Sequence, residues 1–259
     1  MKKAALFAFV FGSLLLMALG SALAAGQKVS STSMIRRYGG SSQSTNWSGY
    51  AVTGSTGSVT SVTGSWIVPT ATGSSRTTAY SSFWVGIDGY SSSTVEQTGT
   101  DSDVQRGRAV YYSWYEFYPN PMYQISMTIK PGDVMEASVT YSGGLFTILI
   151  TDKTTGATFS KSSTVSGAAE SSAEWIAEAP SSYRGVLPLA NFGTVKFGQD
   201  YTVMSGTCYA TISGTSGSIG SFGSSVQKIT MVASGGTVKA LPSSLSSDGT
   251  SFTVTWHHS

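Results

Sequence analysis

The 259-residue sequence predicts an all-β protein, a sandwich or barrel of antiparallel strands. Three observations carry this. From Asn46 onward, short segments alternate with period two and are rich in Val, Ile, Thr and aromatics. Turn clusters separate them: Lys130-Pro131-Gly132-Asp133, Ser142-Gly143-Gly144, Thr154-Thr155-Gly156 and Ser234-Gly235-Gly236. After the leader, no stretch carries a sustained helical period. Residues 45–259 suffice for one sizeable core, and no repeat or second domain is visible.

Taken in order, Lys2 and Lys3 precede the apolar run Ala4–Leu19, and Ala22-Leu23-Ala24 fits a small-residue cleavage site. Residues 1–24 therefore read as a signal peptide, and a secreted, extracellular protein is expected. The run is short for a bilayer span, and no later stretch is apolar enough to cross one. No membrane association is expected once the signal is gone. Residues 25–44 are polar, with Arg36 beside Arg37, and read as a loose leader or short propeptide. Strands are expected at Val59–Thr63, Phe83–Ile87, Tyr111–Tyr118, Ser126–Ile129, Val134–Tyr141, Phe146–Thr151 and Glu174–Ala177. Further strands are expected at Val195–Phe197, Tyr201–Met204, Val226–Val232 and Phe252–Trp256. Gly206–Ser225 is Gly-rich, lacks apolar anchors and reads as a mobile loop. Asn46-Trp47-Ser48 is a glycosylation sequon, meaningful in a eukaryotic secretory path.

Charge narrows the partners. The chain has 15 Lys+Arg and 13 Asp+Glu, and loss of Lys2 and Lys3 leaves 13 against 13. No basic stripe suggests nucleic acid. Only 11% of residues are charged, against roughly 25% in ordinary domains. Such a chain builds up less self-repulsion in acid. With one cysteine, Cys208, no intrachain disulfide can form.

Elimination narrows the chemistry. The only histidines, His257 and His258, stand at the C-terminus. A Ser-His-Asp triad, a Cys-His pair or a zinc site would each draw on that tail. No phosphate-binding Gly loop precedes a helix. A hydrolase on this chain would rely on carboxylates. Asp101, Asp103, Asp133, Asp152, Asp200 and Asp248 fall in or beside turns, where Asp serves the backbone. Glu136 and Glu170 read as solvated. Asp88, Glu96, Glu116, Glu174 and Glu178 lie among apolar residues, where a carboxylate must be satisfied. Alternation places Tyr112, Trp114, Glu116 and Tyr118 on one strand face. It likewise groups Trp84, Gly86 and Asp88, and Glu174, Ile176 and Glu178. Strand faces nominate these acids without choosing among them.

Eight segments in order resemble the glutamic peptidases, also called eqolisins or peptidase A4 type. They are Asn46-Trp47-Ser48-Gly49-Tyr50, Gly64-Ser65-Trp66-Ile67-Val68-Pro69, Trp84-Val85-Gly86-Ile87-Asp88-Gly89 and Val95-Glu96-Gln97-Thr98-Gly99. The others are Trp114–Pro119, Ile129–Asp133, Ala173–Glu178 and Leu187–Gly193. The resemblance covers roughly Asn46 to Trp256. It implies two curved antiparallel sheets, similar to legume lectins and glucanases. It further implies a catalytic pair, Gln97 and Glu178, with Trp47, Trp84, Asp88, Trp114, Glu116 and Tyr118 binding substrate or supporting the site. A monomer acting on protein or peptide substrates, without metal or cofactor, is implied too. Glu178 would serve as general base and then acid, and the Gln97 NH₂ as oxyanion donor. A free Glu titrates near about 4.3, so activity is expected in acid.

This chain departs from well-known fungal members in its neutral balance and lone Cys208. Ala179-Pro180 follows Glu178 where they carry Asp-aromatic, and Tyr112 replaces an acid. The competing readings are a glycosidase using Glu116 and Glu178 on the same sandwich, and a lectin-like module without chemistry.

Overall fold

The structure is a computed structural model describing residues 35–38, 40–76 and 78–259. The expected signal peptide and the start of the leader lie outside the described residues. The first strands are β1 (Ile35–Tyr38), β2 (Ser41–Ser44), β3 (Trp47–Thr53), β4 (Val59–Ile67), β5 (Thr78–Ala79) and β6 (Ser82–Ile87). There follow β7 (Val95–Gln105), β8 (Arg108–Tyr118), β9 (Tyr123–Ile125), β10 (Val134–Ser142), β11 (Leu145–Asp152), β12 (Thr158–Ser163) and β13 (Ser172–Glu178). Last come β14 (Ser181–Ser182), β15 (Gly185–Val186), β16 (Thr194–Phe197), β17 (Tyr209–Ile212), β18 (Thr215–Ser218), β19 (Val226–Val232), β20 (Val238–Pro242) and β21 (Phe252–Trp256).

Strand pairing defines two layers. The first runs β9–β8–β7–β6–β13–β3–β19–β2–β1. The second runs β12–β11–β10–β4, continued from β4 by β17–β18 and by β16–β21–β20. A β19–β20 pairing joins them. Within the layers all pairs are antiparallel except β2 with β19. The expected all-β sandwich is what the chain forms.

Period-two alternation builds the core between the layers. Phe83, Val85 and Ile87 of β6 and Trp175 and Ala177 of β13 pack with Val62, Trp66, Val139, Ile148, Phe197 and Phe252 of the other layer. Burying an indole requires a partner for its N–H. Trp66 Nε1 donates to Thr100 Oγ1 at 2.9 Å, and Trp175 Nε1 to the Thr63 carbonyl at 2.7 Å, both across the layers. Gly64 permits a close approach of the layers: a Cβ there would stand 2.5 Å from Val85 Cγ1.

Several elements differ from expectation. Tyr201–Met204 is not a strand. The helix α1 (Gln199–Thr202) forms instead, entered through Gly198 at φ 97 and closed by Val203 at φ 58. Four alternating residues are too few to separate the two periods. The strand expected at Ser126–Ile129 sits earlier, at β9, and the backbone turns at once, Met127 N–H donating to the Ile125 carbonyl at 2.8 Å. Gly206–Ser225 is the β17–β18 hairpin followed by a 3₁₀ segment, Ile219–Ser225. Cys208, Ala210 and Ile219 anchor it in the core, so the apolar anchors are present but sparse. Ser41–Ser44, read as the end of a loose leader, is a packed strand with Ser42 and Ser44 buried. Serines carry little period-two signal, so only the pairing with β19 reveals it.

Candidate active site

The outer face of the first layer carries a second apolar cluster: Trp47, Ala51, Trp84, Tyr90, Val95, Trp114, Ile176 and Ile229. Because Trp175 and Ala177 point inward, Ile176 and Glu178 must point out to this face. Glu178 ends β13, opposite Trp47 of β3 and Ser82 of β6. It is 2% exposed. Glu178 Oε2 accepts from Trp84 Nε1 at 2.8 Å and Oε1 from Asn46 Nδ2 at 3.3 Å. Trp84 is itself held edge-on by Trp47, ring centroids 4.9 Å apart. Burial pushes the Glu178 carboxyl up to about 8; the Trp84 bond opposes this and the Asp101 charge adds to it. Burial thus sets Glu178 well above the ordinary carboxylate range expected for it.

Glu178 lines a cleft with Ser82, Asp101, Trp114, Glu116, Met122 and Pro180. It leaves about 20 Å³ of room, enough for one water. Gln97 is fully buried and does not itself line this cleft. Its Nε2 donates to Glu116 Oε2 at 2.7 Å, so it reaches the cleft through Glu116. A carboxylate only accepts, which fixes the NH₂ end of Gln97 towards Glu116. Register separates the two residues of the expected pair. Gln97 stands opposite Gly86, whose β13 partner is Glu174, whereas Glu178 aligns through Ser82 with Asp101. The row between them passes through Trp84, Gly99 and Trp114. No side chain fits at Gly99: a Cβ would lie 2.3 Å from the Phe83 carbonyl oxygen and 2.6 Å from Trp84 Cβ.

The other expected residues divide. Trp47, Trp84 and Trp114 belong to the outer cluster, and Tyr118 packs on it partly exposed. Asp88 takes a different position. At φ 71 it accepts from the N–H groups of Ala169, Glu170 and Ser171 at 2.7, 2.8 and 2.9 Å. It anchors that loop and does not line the cleft. Glu174 is fully buried outside the cleft, so Glu178 is the acid of β13 that lines it.

Asp101 was missed as a site residue because it was assigned to a turn. It lies inside the 11-residue strand β7, with Asp103 on the same face. Tyr112 Oη donates to Asp101 Oδ2 at 2.7 Å and stands 3.2 Å from Asp103 Oδ2. The spacing Gln97-x-Gly99-x-Asp101-x-Asp103 was the available signal. Asn46, which the sequence offers as a sequon and as the start of the first matching segment but not as a site residue, is 1% exposed, and its amide faces Glu178. Among the described residues, no group of three or more His, Cys, Asp or Glu is placed to hold a metal. No helix among them is long and apolar enough to cross a membrane.

Comparison with known proteins bears on this site. The sequence model of the Peptidase A4 family matches residues 45–256. Aspergillopepsin-2 of Aspergillus niger is 35% identical over 180 residues, 60% of this chain. The aligned region spans 62% of that relative's length. Scytalido-glutamic peptidase, solved with a transition state analogue inhibitor, superposes with TM-score 0.68 at 28% identity, over 82% of this chain and 98% of that one. SCP-B, a member of the eqolisin family solved with the tripeptide Ala-Ile-His, gives 0.64 at 28% identity with the same coverage.

Proposed function

Because the chain belongs to the Peptidase A4 family, we propose that it is a secreted endopeptidase hydrolysing peptide bonds of proteins in acid, with Glu178 and Gln97 as the catalytic pair. The observation that carries this reading is the setting of Glu178. It is a buried carboxyl in an aromatic cleft, with an N–H donor on each oxygen and room for one water beside it.

The chemistry runs without a covalent intermediate. Ionised Glu178 takes a proton from water as the oxygen attacks the scissile carbonyl, then returns it to the leaving amine. The Gln97 amide has two N–H donors. One is held by Glu116; the other is the donor for the carbonyl oxygen as it gains charge, which requires the buried Gln97 to come up to the cleft when substrate binds. An amide partner also avoids the repulsion of two facing carboxylates. Because burial favours the protonated carboxyl, the hydrogen bonds from Trp84 and Asn46 are what favour the ionised form that the reaction needs.

The decisive measurement is protein hydrolysis across the acid range by wild type, Gln97→Ala and Glu178→Gln. Each variant is expected to lose roughly 10²-fold or more in kcat. Full activity in either sinks the assignment. A glycosidase built on Glu116 and Glu178 would instead tolerate Gln97→Ala and cleave a polysaccharide. The leader layout supports export; N-terminal sequencing of protein recovered from the medium should begin beyond Ala24.

A further inference from the structure

Asn46 lies between β2 and β3 and is buried. Its Oδ1 accepts from Ser44 Oγ at 3.0 Å, while its Nδ2 donates to Glu178 Oε1 at 3.3 Å. The two ends of an Asn amide are distinguished only by their partners. Here the partners decide. Ser44 Oγ accepts from the backbone N–H of Asn46 at 3.2 Å and of Trp47 at 3.0 Å. A hydroxyl has two lone pairs and one proton. With both lone pairs engaged, its proton points at Asn46, and the amide end it meets must be the oxygen. The NH₂ is thereby turned to Glu178. A flipped amide would set its oxygen against Glu178 Oε1, lone pair on lone pair.

The backbone ties the same residues. The Asn46 carbonyl accepts from the N–H of Ala179, the residue after Glu178, at 2.8 Å. Ser44 is fixed in turn, buried at the end of β2 and aligned with Met231 of β19. Asn46 thus clamps Glu178 by main chain and side chain together.

We infer that Asn46, locked by Ser44, is a positioning residue that orients the Glu178 carboxylate and favours its ionised form for reaction. This rests on the reading of Glu178 as the base. A carboxylate that accepts an N–H is stabilised against protonation. The other ionisable groups lining the cleft around Glu178 are Asp101 from β7 and Glu116 from β8. The flanking strands β3 and β6 bring no carboxyl or cation to that face.

The test is the pH profile of peptide hydrolysis by the full chain carrying Asn46→Ala, and separately Ser44→Ala, beside Glu178→Gln. With Asn46→Ala, kcat should fall roughly tenfold or more in acid, as expected for a lost orienting partner. The acid limb of kcat should move to higher pH, with KM nearly unchanged, because Asn46 touches Glu178 and does not line the cleft. Ser44→Ala should move the limb the same way but less, since the amide is then free to rotate. An Asn46→Ala profile that overlays wild type overturns the inference. If Asn46→Ala does not fold, Ser44→Ala decides: a moved limb supports the relay and an unmoved one overturns it. An inactive Glu178→Gln beside a wild-type-like Asn46→Ala removes the relay alone. Full activity in Glu178→Gln removes the base itself.

Discussion

At the scale of the residue, one cleft holds groups of opposite effect on Glu178. Trp84 and Asn46 donate to it, while Asp101 sets a negative charge beside it. Asp101→Asn removes that charge and keeps the shape. The Glu178 carboxyl should then titrate lower, and the acid limb of kcat should extend to lower pH, opposite in sign to the Asn46→Ala effect. A pH profile that does not move, or moves up, contradicts this assignment of causes. Asp101 also shows where sequence reasoning stopped. An Asp near Gly residues reads as turn chemistry, and only the pairing of β7 with both β6 and β8 places it on the cleft wall. The amide of Asn46 was illegible for a related reason: its partner is 132 residues away, and no local pattern announces such a contact.

At the scale of the element, strands with strong alternation were legible and those without it were not. β10, β11 and β13 carry Val, Ile and aromatic residues in period two, and they form where that pattern stands. β2 is Ser-Ser-Gln-Ser and has no such pattern, yet it supplies Ser44 beneath Asn46. The gap between Gln97 and Glu178 was equally hidden, because register across β6 is set by pairing and not by composition. The place of β2 has a consequence for any processing of the leader. A chain starting at Ser41 should keep full activity. One starting at Thr45 loses β2 and should fall to the level of Ser44→Ala or below, measured as kcat on the same peptide. Equal activity of the two truncations would show that β2 plays no part in the site.

At the scale of the whole molecule, the carboxyls set a direction for stability. Glu96 and Glu174 are fully buried, and their carboxyl oxygens have no hydrogen-bond partner among the described residues. Burial, with the charge of Asp88 adding, pushes Glu96 up to about 9 and Glu174 well above the carboxylate range. Groups raised in the folded state bind protons more tightly there than in the unfolded chain. Their stabilisation is complete below the unfolded value of about 4.3 and drains away as pH climbs through the folded values. The melting temperature should therefore fall steadily from acid to neutral and beyond. Glu174→Gln should shrink that fall by several degrees, each kcal/mol being worth about 2–4 °C in a domain of this size. A wild-type melting temperature independent of pH would refute the account. Against this sensitivity to protons stands an indifference to redox. Cys208 is the only cysteine, is buried, and leaves the sandwich without a covalent cross-link. A copy made in a reducing cytosol meets no chemical obstacle to the same fold, and would face the proteins of its maker there. The proposed export would then serve containment, keeping a hydrolase away from the cell that built it, and is no requirement of folding.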